Sequence, residues 1–148
     1  MSPFDDAYQQ SLRRLRTRDR FVAELRADLG SGFDDATIQA VIERLVSRGL
    51  VDDVRLVRTL LEANCGKKAV SMEALQRRCA QRGASELALV EFADADEPAV
   101  DELLRRFERT ERDRARAYRL LASRGFSEDA IASSLERLRP DGSDDGSC

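Results

Sequence analysis

A helical unit that recurs along the chain limits the fold more than any other feature of this sequence. Residues 32–45, GFDDATIQAVIERL, align without a gap on residues 125–138, GFSEDAIASSLERL. Each copy places its apolar residues at the spacing of one face of an α-helix. A third, degenerate copy begins at Gly83 with GASELALVEF. A chain that repeats such a unit is expected to stack helical repeats on one another.

Apolar stripes with start and stop signals around them predict nine helices. Asp34, Asp52, Ser71 and Ser127 precede stripes and are predicted to cap free backbone N–H groups. Glycines that follow Arg-bearing turns are predicted to end helices: Gly32, Gly49, Gly83 and Gly125. The predicted helices lie near residues 5–16, 19–29, 35–48, 52–63, 71–82, 85–92, 97–110, 112–124 and 127–138.

Grouping these helices in threes predicts an all-α protein of three tandem three-helix repeats in an elongated, curved arrangement. The first repeat is assigned to residues 5–50, the degenerate second to 51–93 and the third to 97–138. Residues 139–148 are polar, Gly-rich and acidic, and are predicted to form a disordered tail.

Composition agrees with helices and excludes several other classes of protein. Charged residues make up 36% of the chain and aromatic residues only 5%, too few for a typical sheet protein. No apolar run approaches the roughly 20 residues of a membrane span, and the N-terminus lacks the apolar core of a signal peptide. We therefore expect a monomer in the cytoplasm. Cys65, Cys79 and Cys148 are widely spaced and the chain has no histidine, so neither metal nor disulfides are expected, and Cys79 is predicted to lie in the core.

Signs of catalysis are weak in this sequence. Without histidine, neither a Ser-His-Asp triad nor a Cys-His pair can form. Gly30 and Gly32 are not followed by the lysine of a phosphate-binding loop. The carboxylate pairs Asp34/Asp35 and Asp52/Asp53 stand where helix caps belong, and we interpret them as caps. The chain is therefore predicted to bind a partner, without catalysis and without a cofactor.

Charge placement carries the remaining functional signal. Basic residues, mostly arginine, cluster in the first two helices, around residues 67–82 and around residues 105–124. The side chains predicted to contact a partner are Arg13, Arg16, Arg20, Lys67, Lys68, Arg77, Arg78, Arg105, Arg109, Arg112, Arg116 and Arg119. A guanidinium binds carboxylate or phosphate through two parallel hydrogen bonds. The alternative is that these residues are solvated helix faces that support i,i+4 pairs. The aromatic residues Tyr8, Phe21, Phe107 and Tyr118 are expected to be core residues rather than base-stacking platforms.

Four segments, in order along the chain, resemble the RecX family of bacterial regulatory proteins. Residues 11–33, SLRRLRTRDRFVAELRADLGSGF, are similar to its first unit, and RGLVDDVRLV at 48–57 resembles its "GxLDDxRFA" segment. GKKAVSMEALQRRCAQRG at 66–83 is similar to the stretch that follows. LLASRGFSEDAIASSL at 120–135 resembles the C-terminal "YLxxRGFSxDxI" pattern. Phe21 departs from the pattern, because the family usually has a small polar residue there.

The resemblance implies three three-helix repeats and a regulatory function. Members of the family lie in the groove of the RecA–single-stranded DNA filament and oppose its growth, strand exchange and co-protease activity. RecA is thus the implied partner, with single-stranded DNA contacted through the filament. Two alternatives remain from the residues themselves: a helical adaptor for another protein, and a DNA-binding protein that competes for single strands. The formal net charge of −3 predicts weak binding to naked DNA.

Overall fold

The computed structural model describes residues 2–105, 107 and 111–136, apart from the side chains of Glu111 and Arg112. In this part of the chain all regular structure is helical, which confirms the predicted all-α class. The α-helices are α1 (Pro3–Thr17), α2 (Val22–Leu29), α3 (Asp35–Ser47), α4 (Asp53–Ala63), α5 (Met72–Arg82), α6 (Glu86–Leu89), α7 (Asp101–Leu104), α8 (Glu111–Ser123) and α9 (Glu128–Leu135). Short 3-10 turns occupy Gly66–Lys68 and Val90–Phe92.

The four predicted N-terminal caps are confirmed. Asp34 Oδ1 accepts the Thr37 N–H at 2.8 Å, and Asp52 Oδ1 accepts the Arg55 N–H at 3.0 Å. The hydroxyl oxygens of the two serines do the same. Ser71 Oγ caps α5 and Ser127 Oγ caps α9, each by accepting a backbone N–H three residues ahead. These bonds satisfy backbone donors that a helix leaves free at its start.

Three of the four predicted terminating glycines are confirmed. Gly49, Gly83 and Gly125 have φ of 71°, 96° and 87°, in the left-handed region that follows many helices. The prediction for Gly32 is wrong. Its φ is not positive, and α2 already ends at Leu29, whose carbonyl accepts the N–H groups of Gly32 and Phe33. Two additional residues, Gly30 and Ser31, therefore turn the chain where a single glycine does so in the other copies.

Two helices begin later than predicted. The second starts at Val22 rather than near residue 19, because Phe21 is extended and its N–H is bonded by the Glu24 carboxylate at 2.8 Å. The seventh is described over Asp101–Leu104, within the predicted 97–110. Glu97 lies before it, where its carboxylate accepts the Met72 N–H at 2.7 Å. The 3-10 turn Gly66–Lys68 had no counterpart in the prediction.

The chain divides into two compact units, and unit 1 comprises Met1–Leu61 and Arg78–Asp94. Its main core lies where α1 and α2 pack on α3. The predicted α3 stripe is buried at Ile38, Val41, Ile42 and Leu45. Val46, eight residues after Ile38, continues the same helical spacing but is 49% exposed, since it falls on the edge of that face. Phe21 is fully buried and Cys79 is 1% exposed, as predicted.

Unit 2 comprises Glu62–Arg77 and Ala95–Cys148. Its core joins Val100, Leu103 and Leu104 to Ala117 and Leu121 of α8 and to Ile131 and Leu135 of α9. Phe107 packs against this core, as predicted. Tyr118 does not, and is 42% exposed, because the neighbouring Ala117 takes the inward position on α8. Leu138 and the predicted tail lie outside the described residues. The boundaries of the three repeats remain a prediction.

Candidate partner-binding surface

The predicted contact residues of unit 1 differ in exposure and in whether their side chains already bond to other residues. Arg13 and Arg16 are exposed, lie three residues apart on one face of α1, and make no hydrogen bond or ion pair with any described residue. Arg78 on α5 is exposed in the same way. Arg20 is half-buried, donates from Nη2 to Thr17 Oγ1 at 3.1 Å, and keeps a buried Nε without a described partner. Arg13, Arg16 and Arg78 are therefore the available cations among the predicted contact residues of unit 1.

Other arginines of unit 1 serve the fold. Arg14 pairs with Asp28 at 2.9 Å and Arg58 with Glu91 at 2.7 Å. Arg44 lies over the Phe4 ring, and Arg48 lies over the Tyr8 ring and donates to its hydroxyl. A run of arginines in the sequence is thus divided by the fold into structural cations and free ones. Periodicity alone does not distinguish the two sets.

Glu24 is the anion at which several structural cations of unit 1 meet. Its carboxylate bonds Arg82, accepts the Phe21 N–H and lies 3.5 Å from Arg18 Nη2. Burial alone would raise the Glu24 pKa, but the hydrogen bonds from Arg82 and Phe21 and the charges of Arg82 and Arg18 outweigh it, so the pKa is lowered. Glu24 is therefore held ionised for a structural purpose.

In unit 2, a basic cavity is formed by three separate segments of the chain. The cavity has a volume of about 360 Å³. Its lining residues are Lys67, Glu102, Leu103, Arg105 and Arg124. Lys67 comes from the 3-10 turn, Arg105 follows α7 and forms an ion pair with Glu102, and Arg124 follows α8. Arg124 was not among the predicted contact residues. Its position before Gly125 is the signal that could have identified it, since the glycine fixes where the helix ends.

Arg124 is held rigidly at this cavity. Its Nη1 donates to the carbonyl oxygens of Lys67 at 2.9 Å and Ala69 at 3.0 Å. Gly125 lies so close to the start of α5 that a Cβ at this position would come within 2.8 Å of Ser71 Oγ and 2.9 Å of Ala74 Cβ. The end of α8 therefore packs directly against the start of α5. The turn that carries Lys67 is thereby fixed to the end of α8.

The other predicted cations of unit 2 lie in different surroundings. Lys68 is exposed beside Lys67 but does not line the cavity, and Arg77 forms an exposed i,i+4 pair with Glu73 at 3.0 Å. Arg116 and Arg119 line a second cavity of about 520 Å³ together with Phe107, Asp113 and Leu120. Arg109 and the side chain of Arg112 lie outside the described residues.

The carboxylate pairs act as structural groups. Asp53 accepts the N–H of Val22 at 3.0 Å and of Ser85 at 3.2 Å, so it joins the starts of α2 and α6 to that of α4. The Asp34 pKa is lowered by its hydrogen bonds with Thr37. Burial raises the pKa of the Cys79 thiol, which disfavours the reactive thiolate.

The described residues hold neither a metal-binding cluster nor a membrane-spanning helix. They contain no group of three or more Cys, Asp or Glu residues placed to hold a metal ion. Nor does any helix in them have the length and apolar character needed to cross a membrane.

Known proteins similar to this chain identify its family. A family model described as the first three-helix domain of RecX matches residues 7–45, which include α2 and most of α1 and α3. The Regulatory protein RecX of Thermus thermophilus is 32% identical over 124 residues, covering 82% of this chain and 84% of the relative. That of Chromohalobacter salexigens is 33% identical over 132 residues, covering 84% and 85%. The chain belongs to the RecX family.

A solved RecX structure has the same fold. The crystal structure of RecX from Lactobacillus salivarius superposes with a TM-score of 0.70 at 17% identity, over 92% of this chain and 96% of that one. The RecX resemblance proposed from the four sequence segments is therefore confirmed, together with the all-helical fold. RecX proteins are a regulatory family and not an enzyme family, in keeping with the structural roles of the carboxylates and thiol described above.

Proposed function

We propose that this chain binds the RecA filament on single-stranded DNA and lowers its recombinase, ATPase and co-protease activities. Similarity to RecX regulatory proteins over more than four fifths of the chain carries the proposal. RecA inhibition is the function that the family resemblance implies. The distribution of free cations supports it physically.

Exposed cations are present in both compact units. Arg13, Arg16 and Arg78 belong to unit 1, and Lys67, Lys68 and Arg119 to unit 2. A single solvent-exposed ion pair contributes only up to about 1 kcal/mol. Useful affinity therefore requires several contacts made together, and a filament offers the same acidic groups or phosphates at regular intervals.

The filament suits this chain better than naked DNA does. The formal net charge of −3 gives a weak net repulsion from a polyanion during approach, and salt screens this repulsion beyond about 10 Å at 0.1 M ionic strength. Local basic groups act only once a protein surface has brought them close. We therefore infer that contacts with RecA provide the affinity, while any phosphate contacts add to it.

The direct test is the DNA-dependent ATPase of the cognate RecA, with this chain titrated below the RecA concentration. We expect inhibition at substoichiometric amounts, because each bound chain blocks the growth of a filament of many protomers. Unchanged ATPase activity at every ratio would contradict the proposal. Repeating the titration at increasing salt distinguishes binding to the filament from competition for DNA. Inhibition by competition should weaken steeply with salt, because it depends on neutralising phosphates.

A pair of matched variants tests the role of the free cations. The double variant Arg13→Ala/Arg16→Ala removes two unpaired cations of α1, and we expect inhibition to require about five to ten times more protein, from roughly 1 kcal/mol of lost contact energy. The control Arg26→Ala/Arg58→Ala removes the same charge from residues bonded to Gln39 and Glu91. Equal weakening by both variants would show a general charge effect instead.

A further inference from the structure

We propose that the basic cavity of unit 2, lined by Lys67, Glu102, Leu103, Arg105 and Arg124, is a docking site for an acidic segment of a protein partner. A carboxylate side chain of that segment enters the cavity. The inference rests on the proposed function only in taking this partner to be the regulated recombinase.

The charges around the cavity favour an anion. The described lining residues include three cations and one carboxylate, and the carboxylate of Glu102 is already paired with Arg105. The ammonium group of Lys67 is exposed and makes no hydrogen bond or ion pair with a described residue. Arg124 uses only Nη1 for the two backbone carbonyls, so Nη2 and Nε make no hydrogen bond with a described residue. These donors have the fork geometry that matches a carboxylate.

The site is also preorganised. The two carbonyls hold Arg124 in place. The turn that carries Lys67 starts at Gly66, whose backbone is left-handed with φ of 68°. Leu103, 4% exposed, supplies an apolar wall. Donors that are already fixed lose little entropy when a ligand binds.

A protein segment fits this site better than a nucleic acid strand does. None of the described lining residues is aromatic, so they offer no platform for stacking a base. Glu102, whose Oε1 pairs with Arg105, can still accept a hydrogen bond from a hydroxyl side chain next to the entering carboxylate, a donor that the backbone of a DNA strand lacks. The volume of about 360 Å³ accommodates one or two side chains.

The first test measures the binding of a fluorescein-labelled decapeptide of alternating aspartate and serine to the full chain by anisotropy. Lys67→Ala is expected to weaken binding at least fivefold. Lys68→Ala is the matched control, because it removes the same charge from the same turn but does not line the cavity, and its effect should stay below twofold. Equal effects of the two variants, with unchanged thermal unfolding, would overturn the proposal.

A second pair of variants removes a negative charge instead of a positive one. Glu102→Gln removes the one anion among the described lining residues and frees Arg105, so the peptide should bind at least twofold more tightly. Glu73→Gln makes the same charge change at an exposed residue of α5 outside the cavity and should leave binding unchanged. Weaker binding by Glu102→Gln, or equal tightening by both, would contradict the assignment.

Two other occupants are outcomes of the same assay. If a thymidine decanucleotide binds more tightly than the peptide and loses more affinity in Lys67→Ala, the site is a phosphate site and the proposal fails. If truncation after residue 138 tightens peptide binding tenfold, the chain's own acidic end is the occupant, and the proposal fails as well.

The RecA ATPase assay separates this inference from the proposed function. Loss of peptide binding in Lys67→Ala, together with a loss of inhibition clearly larger than that of Lys68→Ala, supports both. If Lys67→Ala still inhibits RecA, the proposed function is supported and the cavity is not the site that contacts the recombinase. If peptide binding depends on Lys67 but the chain does not inhibit RecA, the cavity is a docking site and the proposed function is wrong.

Discussion

The guanidinium of Arg82 forms a two-pronged ion pair with the carboxylate of Glu24, 58 residues away in the sequence. Nε lies 3.0 Å from Oε2 and Nη2 lies 3.0 Å from Oε1. The same guanidinium donates to the Asp19 carbonyl and lies 4.9 Å from the centroid of the Phe21 ring. The last residue of α5 therefore holds the segment that leads into α2.

Arg82→Ala should lower the free energy of unfolding by about 2 kcal/mol, because it leaves a largely buried carboxylate without its main partner. Arg82→Lys should be intermediate, since a lysine keeps the charge but cannot form both bonds. Chemical denaturation by urea measures both changes. Arg77→Ala, which breaks an exposed pair, is the control and should cost less than about 0.5 kcal/mol. A cost for Arg82→Ala as small as the control's would contradict this role.

Glu24 should also make stability depend on pH. Because its pKa is lower in the folded chain than in the unfolded one, it stabilises the fold above the unfolded pKa of about 4.3, and this contribution is lost as pH falls through the folded pKa. Glu24→Gln should therefore be less stable than the parent at pH 7, with the difference shrinking on acidification below about pH 4.3. Thermal unfolding from pH 7 to pH 3 measures this. A difference that stays constant over that range would refute it.

Gly83 is expected to tolerate no side chain. A Cβ there would come within 2.5 Å of Ala23 Cβ, and its φ of 96° is unfavourable for any other residue. Gly83→Ala combines that backbone cost of about 1–2 kcal/mol with a steric clash. Gly49→Ala is the matched control, with φ of 71° and nothing within 4 Å. Urea unfolding should give Gly83→Ala a clearly lower free energy of unfolding than Gly49→Ala. Equal values would argue against the close contact between Gly83 and α2.

The arginines around α8 give a functional prediction. Replacing Arg105, Arg109, Arg112 and Arg116 together by alanine should weaken RecA inhibition by at least tenfold, through the loss of several ionic contacts with the filament of up to about 1 kcal/mol each. Helicity should persist, since alanine favours helices. Circular dichroism and the ATPase assay measure the two effects. Unchanged inhibition would move the contact surface to another part of the chain.

Local signals in the sequence predicted much of the fold. Caps such as Asp34 and Ser127 and helix ends such as Gly83 and Gly125 act within a few residues, so their position along the chain is enough to identify them. The prediction that Gly32 ends a helix was wrong, because it rested on the alignment of residues 32–45 with residues 125–138. That alignment does not show where the preceding helix α2 ends.

Contacts between distant segments could not be predicted in this way. Asp53 has the pattern of a cap, but its carboxylate joins α2 and α6, which are far apart in the sequence. Composition identified arginine as the important residue type. Only the fold separates a structural arginine such as Arg82 from an exposed one such as Arg13, and only the fold brings Lys67 next to Arg124.

Binding of the fluorescently labelled chain to RecA filaments assembled on an oligonucleotide, compared with the same oligonucleotide without RecA, tests the central claim most directly. We predict that the filament binds at least ten times more tightly than the naked strand. Equal affinity for the two, or tighter binding to the naked strand, would show that the chain acts on DNA alone. Binding to neither would contradict the account.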